Sequence, residues 1–366
     1  MPSQINIFIT GATGKYCIII FFQCTIKLKM ICLFSSGYIG GSVLDRLLKH
    51  PDASSFKITA LVRSVEKGDK LKNLGVNIAI GTYDAEDLSF LTDAVSQADV
   101  VFSVANSDHP LAAQAILKGL KIKHEKSGKA PILIHTVTII MDDSRGLTSE
   151  HITYSDLDVE TLSSIPDTAL HRNVDVPLIE ADRAGYVNVY LVTPGTIFGS
   201  PSGQLVDLGI QNMHSIQIPY IIKPSIARKQ GAYFSKGLNT WSAVSQEEVV
   251  DLYLILFDTI RSRPEAAGHG AEGYYFAENC EYSGIELARV ISEALVEFGV
   301  GTSKEPSAFT QAELDTFFGP IWPLLATNSY AKGDRSRALG WNPKSTKKDF
   351  LENVRLETKA FLAESK

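Results

Sequence analysis

Cysteine is scarce in this chain. Of the four present, Cys17, Cys24 and Cys32 fall within one short stretch and Cys280 stands far from them. That distribution excludes a disulfide framework or a paired-ligand zinc site, so no metal is expected, and it predicts a reducing, cytoplasmic setting. A basic surplus is also missing. Lys and Arg total 35 against 41 Asp and Glu, a net charge of −6, which argues against nucleic acid or an anionic membrane surface as a partner. No uninterrupted apolar run approaches the roughly 20 residues a spanning helix needs. The run Cys17 to Phe22 is followed by Gln23, Lys27 and Lys29, so stable membrane insertion is not expected. The first apolar run, Ile5 to Ile9, leads straight into glycines and is not a secretory signal. Short-period repeats and low-complexity tracts are absent. What remains, with 45% hydrophobic and 21% charged residues, is an ordinary globular protein acting on a small molecule, as monomer or homodimer.

One interrupted phrase stands out. Ile5-Asn6-Ile7-Phe8-Ile9-Thr10-Gly11-Ala12-Thr13-Gly14 is taken up again, after residues 15–37, by Tyr38-Ile39-Gly40-Gly41-Ser42-Val43-Leu44. Joined, the two parts read as a buried strand, a Gly-x-x-Gly-x-x-Gly turn and an amphipathic helix, the opening of a dinucleotide-binding βαβ unit. Glycines are needed there for the sharp turn, for close approach to a pyrophosphate and for packing of helix on strand. The helix N-terminus then offers N–H groups and a positive dipole end to the phosphates.

Val43, Leu44, Leu47 and Leu48 recur at helical spacing. Strands follow at Phe56–Val62, Val76–Gly81, Asp99–Val104, Pro131–Thr136 and Asn188–Val192, with helices between, including one over Pro110 to Lys121 and a polar connector from Lys121 to Lys129. This alternation predicts an α/β fold, a doubly wound parallel Rossmann sheet with a smaller C-terminal substrate lobe. The expected division is a dinucleotide-binding domain over 1–199, a substrate lobe over 200–330 from which 235–260 returns to the core, and a tail helix within 331–366. Ser245 with Glu248, and Ser283 with Glu286, have the spacing of capping boxes that open helices. Arg63, just after the second strand, stands where an acidic residue would select NAD and an Arg accommodates the 2′-phosphate of NADP; the alternative is a solvated Arg. Asp84 is placed to accept from an adenine amino group or to sit at a helix start. Ala105 ends the fourth strand, at the carboxyl edge where ligands collect.

The ordered set Thr10-Gly11-Ala12-Thr13-Gly14…Tyr38-Ile39-Gly40, Arg63, Asp84, Pro194-Gly195-Thr196-Ile197-Phe198-Gly199 and Leu339-Gly340-Trp341 resembles the extended and atypical short-chain dehydrogenase/reductases, including the epimerase/dehydratase group. The resemblance covers nearly the whole chain except 15–37. It implies a Rossmann fold and NADP, with NAD possible, held by Gly11, Thr13, Gly14, Tyr38, Ile39, Gly40, Arg63, Asp84, Ala105, Pro194, Gly195 and Ile197. It also implies a Tyr-x-x-x-Lys pair before the strand Asn188–Val192 and a hydroxyl after Pro131–Thr136. Counting back puts His171 at the Tyr position and Asp175 at the Lys position. Asp175 lacks the Lys charge; His171 is either an acid–base substitute or an ordinary surface His. Arg172 is a candidate for the missing cation, Tyr154 for a displaced phenol, and Thr136 or Thr138 for the hydroxyl. The function implied is NAD(P)-dependent oxidoreductase or epimerase-like chemistry, or a catalytically silent dinucleotide-binding regulator.

Residues 15–37 contradict the turn they interrupt. They read as a membrane hook or partner-binding hairpin, as a neutral loop extension, or as a retained intron. For the last, Gly14-Lys15-Tyr16 can be encoded by GGT-AAG-TAY, which contains a splice-donor sequence, and Ser36-Gly37 by TCA-GGN, which supplies an in-phase acceptor. Excision fuses Gly14 to Tyr38. The intron reading is favoured because the local sequence conflicts with the fold pattern on both sides of it.

Overall fold

The structure, a computed structural model, describes residues 4–14, 37–137 and 141–364. The chain runs β1 (Ile5–Thr10), α1 (Ile39–Leu48), β2 (Phe56–Val62), α2 (Val65–Lys72), β3 (Asn77–Ile80), α3 (Ser89–Val95), β4 (Val100–Ser103), α4 (Pro110–Ser127) and β5 (Ile132–Thr136). It continues through β6 (Thr153–Ser155), α5 (Val159–Ser163), α6 (Arg172–Arg183), β7 (Asn188–Pro194) and β8 (Thr196–Phe198). Next come α7 (Gln204–Asp207), α8 (Gln217–Arg228), β9 (Ala232–Tyr233), β10 (Thr240–Ser245), α9 (Gln246–Ser262), β11 (Tyr274–Ala277), β12 (Cys280–Ser283) and α10 (Gly284–Glu297). Short elements then lead to a final helix, Lys347–Glu364.

Ile7, Phe8 and Ile9 of β1 are all buried, so both faces of this strand are covered. Strands of that kind belong inside a parallel sheet with helices on each side. The sheet has seven strands in the order β3-β2-β1-β4-β5-β7-β11, every pair parallel. On one face Val43, Leu44 and Leu47 of α1 pack with Val249, Tyr253 and Phe257 of α9. On the other, Leu91, Ile116, Leu120, Val174 and Leu178 bring α3, α4 and α6 into a second apolar layer. A third cluster, with Ile218, Trp241, Leu295, Phe350 and Phe361, forms the C-terminal lobe. Both capping boxes are present, at Ser245/Glu248 and Ser283/Glu286.

Three departures from the sequence reading have physical causes. The Lys121–Lys129 connector is helical as far as Ser127. α4 stops where Gly128 takes a left-handed φ of 68° and returns its N–H to His124, with His124 and Lys126 favourably placed in the last turn. α2 carries no apolar stripe and buries only Gly68 and Leu71; its start is fixed by Ser64, whose hydroxyl accepts from Lys67 N. The main sheet takes in β11, so the return to the core extends beyond 235–260.

The end of the chain is locked by Asp156, directly after β6 and fully buried. Its carboxylate accepts from Phe276 N (3.1 Å), Arg335 N (2.7 Å), Ser336 N (3.3 Å) and Ser336 Oγ (3.4 Å). Glu248 plays a similar part for Leu339-Gly340-Trp341: its carbonyl accepts from Trp341 Nε1 at 2.7 Å and its carboxylate from Ser345 N at 2.6 Å. Removing the Asp156 acceptor strands several buried donors, so Asp156→Ala is expected to cost about 3 kcal/mol. Urea unfolding measures this, with Asp156→Asn, which retains one acceptor, losing less.

Candidate functional site

The glycine turn is built by close backbone contact. Gly11 has φ of 72°, and a Cβ there would lie 2.5 Å from the Val104 carbonyl and 2.9 Å from Ala105 N. A Cβ on Gly40 would lie 2.4 Å from the Gly11 carbonyl. Any side chain at either position would push α1 off β1 or β1 off the strand beside it. Thr10 Oγ1 accepts from Val104 N at 3.1 Å, which ties the turn to the end of β4. No side chain caps α1 at Tyr38, so its first-turn N–H groups are presented as an anion site would need them. The cradle and the helix end fit a dinucleotide pyrophosphate.

A strap, Gly203–Asn212, crosses this turn. The Ile210 carbonyl accepts from Gly14 N at 3.3 Å, and Lys67 Nζ donates to the carbonyls of Gly14 (3.0 Å) and Ile210 (3.5 Å). Gln211 Nε2 donates to the Tyr38 carbonyl and Ser42 Oγ at 3.1 and 2.7 Å, and Gln246 Nε2 to the same two acceptors at 3.2 and 2.6 Å. Tyr38 donates its phenol proton to the Gly199 carbonyl at 2.5 Å. Arg63 is exposed beyond β2, a turn of chain from Lys67, and Asp84 is exposed in the turn after β3, bonded to Thr82. Asp84 is not a helix start: α3 begins at Ser89 after an uncapped Leu88, and Asp87 before it accepts from Ser89 N at 2.8 Å. Pro194 ends β7, Gly195 N donates to the Ala277 carbonyl at 3.0 Å, and Ile197 on β8 packs against the α1–α9 layer.

His171 is buried rather than on the surface, at the N-terminus of α6 with φ of 72°. Its Nδ1 bonds the Asp108 carboxylate, which comes from the loop after β4. Asp108 thereby orients the ring, with Nε2 on the side away from the carboxylate. Buried around the pair are His135, Arg172 and Asp175. Burial drives His135 down to about 4, with nearby His171 adding to this and a Ser107 backbone bond opposing it. Burial drives the Asp175 carboxyl up to about 8, against the Arg172 charge and with Asp108 assisting. Arg172 Nη1 reaches the Tyr274 hydroxyl at 3.4 Å and Nη2 reaches Asp167 at 3.6 Å. His135 Nε2, Arg172 Nε and Asp175 Oδ1 have no hydrogen-bond partner among the described residues. The sequence reading placed His171, Arg172 and Asp175 in one region but missed Asp108, His135 and Lys67. His135 lay in view as a polar residue inside a buried strand; Asp108 and Lys67 had no signal.

The other two catalytic candidates lie apart from this cluster. The Thr136 hydroxyl bonds Tyr253 OH at 2.6 Å and the Ser103 carbonyl at 3.3 Å, on the α9 face of the sheet, whereas His135 before it faces α6. Tyr154 sits on β6 in register with Ala331, its phenol raised by burial and by Asp142. Thr138 lies outside the described residues, as does all of 15–37 except Gly37. A cavity of about 1040 Å³ opens at the opposite, amino-terminal edge of the sheet, between α1, α9 and Gly340–Pro343. Its charges pair with one another, Arg46 with Asp251, His50 with Asp258 and Arg261 with Asp52, which makes it a solvated groove and not the site. Among the described residues no group of His, Cys, Asp and Glu forms a metal cluster, and no helix is long and apolar enough to cross a membrane.

Solved structures share this architecture over nearly the whole chain. UDP-glucuronic acid 4-epimerase from Bacillus cereus, in complex with UDP-glucuronic acid and NAD, aligns with a TM-score of 0.59 at 12% identity, covering 98% of this chain and 100% of that one. The NAD complex of dTDP-glucose 4,6-dehydratase from Bacillus anthracis aligns at 0.58 and 14%, covering 97% of each. The chain thus shares the Rossmann fold of these two enzymes. Within it, residues 27–124 match the NmrA-like family. A sequence relative, "Oxidase ucsJ" from Acremonium sp, is 29% identical over 86% of this chain and 92% of its own length.

The opposite shifts of His135 and Asp175 make stability depend on pH in a definite sense. Asp175 keeps its proton when folded up to about pH 8, whereas the unfolded carboxyl loses it near 3.8, so this residue lowers stability progressively across that window. His135 is neutral in the fold above about 4 but protonates near 6.5 when unfolded, so its contribution is lost as pH falls. Asp175→Asn is therefore expected to move the stability optimum to higher pH, its melting temperature gaining on the parent chain between pH 5 and pH 8. An unchanged pH profile would contradict the buried neutral carboxyl.

Proposed function

We propose that this protein is an NADP-preferring oxidoreductase of the atypical extended short-chain type that acts on a small molecule in the cytoplasm. The observation that carries this reading is the His171–Asp108 pair, an oriented imidazole where the family has its Tyr, with Asp108 on the loop that follows Ala105. The similarity to an oxidase supports the reaction class. Gly11, Thr13, Gly14, Tyr38, Ile39 and Gly40 would hold the pyrophosphate. Arg63, with Lys67 beside the turn, would hold the 2′-phosphate, Asp84 the adenine amino group, and Ala105, Pro194, Gly195 and Ile197 the nicotinamide half. The dinucleotide supplies hydride chemistry when bound. This chain's own part is to orient it, to shape a substrate pocket from the 200–330 region, and to move a proton at His171 Nε2.

Asp175 favours a second reading. A neutral carboxyl stands where the family's Lys holds the ribose, so a catalytically silent NADP-binding regulator fits the same dinucleotide site. Calorimetry with NADPH and NADH, paired with turnover over a panel of carbonyl and sugar-nucleotide substrates, separates the two. Arg63→Ala is expected to weaken NADPH binding by about 1–3 kcal/mol while leaving NADH binding unchanged. His171→Gln should abolish turnover and spare NADPH binding. NADPH binding without turnover of any substrate in the panel would favour the regulator, and equal loss of NADPH and NADH in Arg63→Ala would remove the NADP preference.

A further inference from the structure

Gly14 and Tyr38 are separated by residues 15–37, yet two consecutive residues of the strap bond them side by side. Ile210 accepts from Gly14 N at 3.3 Å, and Gln211 Nε2 donates to the Tyr38 carbonyl at 3.1 Å. Each flank is pinned again from elsewhere, Gly14 by Lys67 and Tyr38 by Gln246 and Gly199. The gap itself is closed: a Cβ built on Gly37 would lie 2.4 Å from Gly14 N and 2.9 Å from Gly14 Cα. β1 is equally complete without the intervening residues. It pairs with β2 and β4, and the Asn6 backbone and side-chain amides both donate to Asp99.

We infer that Gly14 and Tyr38 are the native neighbours of the phosphate turn, and that the chain lacking residues 15–37, excised at the transcript level, is the dinucleotide-binding form. The binding half of this rests on the cofactor reading above; the neighbour half does not. The physical asymmetry is between fold and site. Closing a loop costs only about 0.6 kcal/mol more for each doubling of its length, so the sheet tolerates the added residues. The site does not, because the segment leaves and re-enters the chain within the glycine turn, whose backbone must approach the pyrophosphate closely. A competing assignment comes from the NmrA-like match, which begins at residue 27 and so takes in the end of the segment and leaves out β1.

Three chains test the inference by thermal melting and by NADPH calorimetry: the full chain, one deleted of residues 15–37, and one deleted of residues 1–26. The 15–37 deletion is expected to melt cooperatively, at or above the full chain's temperature, and to bind NADPH at least about tenfold more tightly, or about 1.4 kcal/mol. The 1–26 deletion, which loses β1, is expected not to fold. Failure of the 15–37 deletion to fold overturns the inference, as does folding with no gain in affinity over a full chain that binds. A 1–26 deletion that folds and binds more tightly would assign the first strand to the inserted segment instead. Cooperative melting of the 15–37 deletion while neither it nor the full chain binds NADPH or NADH would retain the Gly14–Tyr38 junction and overturn the cofactor reading.

Discussion

The contact between Gly40 and the Gly11 carbonyl sets the geometry of the β1–α1 half of the sheet. Because neither residue carries a Cβ, α1 lies directly on β1 and Gly11 lies directly on the end of β4. That fixes where α1 meets α9, and the α1–α9 layer covers one face of the sheet. The strap then docks on the same few atoms. Gln211 and Gln246 donate to identical acceptors at Tyr38 and Ser42, so the path of the chain after β8 follows the turn instead of shaping it. A methyl group at Gly40 would disturb the helix, the strap and the uncapped N–H groups together.

The opposite face of the sheet is governed by a balance of charge in a dry region. His171, Asp108, His135, Arg172 and Asp175 are gathered where α6 meets the ends of β4 and β5. Low polarisability there favours the neutral forms of His135 and Asp175, and the two shifts run in opposite directions for the same reason, loss of water. Burial that keeps the Asp175 carboxyl neutral leaves Arg172 as the charged neighbour whose attraction opposes that shift.

The parallel sheet was legible because runs such as Ile5–Ile9 and Val100–Ser103 are apolar on both faces, which few other arrangements allow. Capping boxes at Ser245 and Ser283 were legible because both partners lie three residues apart. α2 was not, since its single buried large side chain, Leu71, leaves no periodicity to read. The glycine turn could be recognised, whereas its strap could not: Ile210 acts through a backbone carbonyl, which carries no residue-specific signal. The pairing of His171 with Asp108 was equally hidden, being 63 residues apart and dependent on how α6 is laid against the end of β4. Thr136 and His135 show the limit from the other side. They are adjacent in sequence and therefore on opposite faces of a strand.

Asp156 has a bearing on how the molecule comes to be made. Its partners at Arg335 and Ser336 lie 179 and 180 residues downstream, so during synthesis the carboxylate lacks these donors until almost the entire chain has emerged. Until then β11, whose Phe276 N–H the same carboxylate receives, is not tied through it to the Arg335–Ser336 segment. Six of the seven strands of the main sheet lie within the first two hundred residues, whereas α9, which covers one face of it, and the outer strand β11 come later. The clasp is complete only when Arg335 and Ser336 are in place: a chain that stops short of them leaves the Asp156 carboxylate with the Phe276 N–H alone out of these backbone donors.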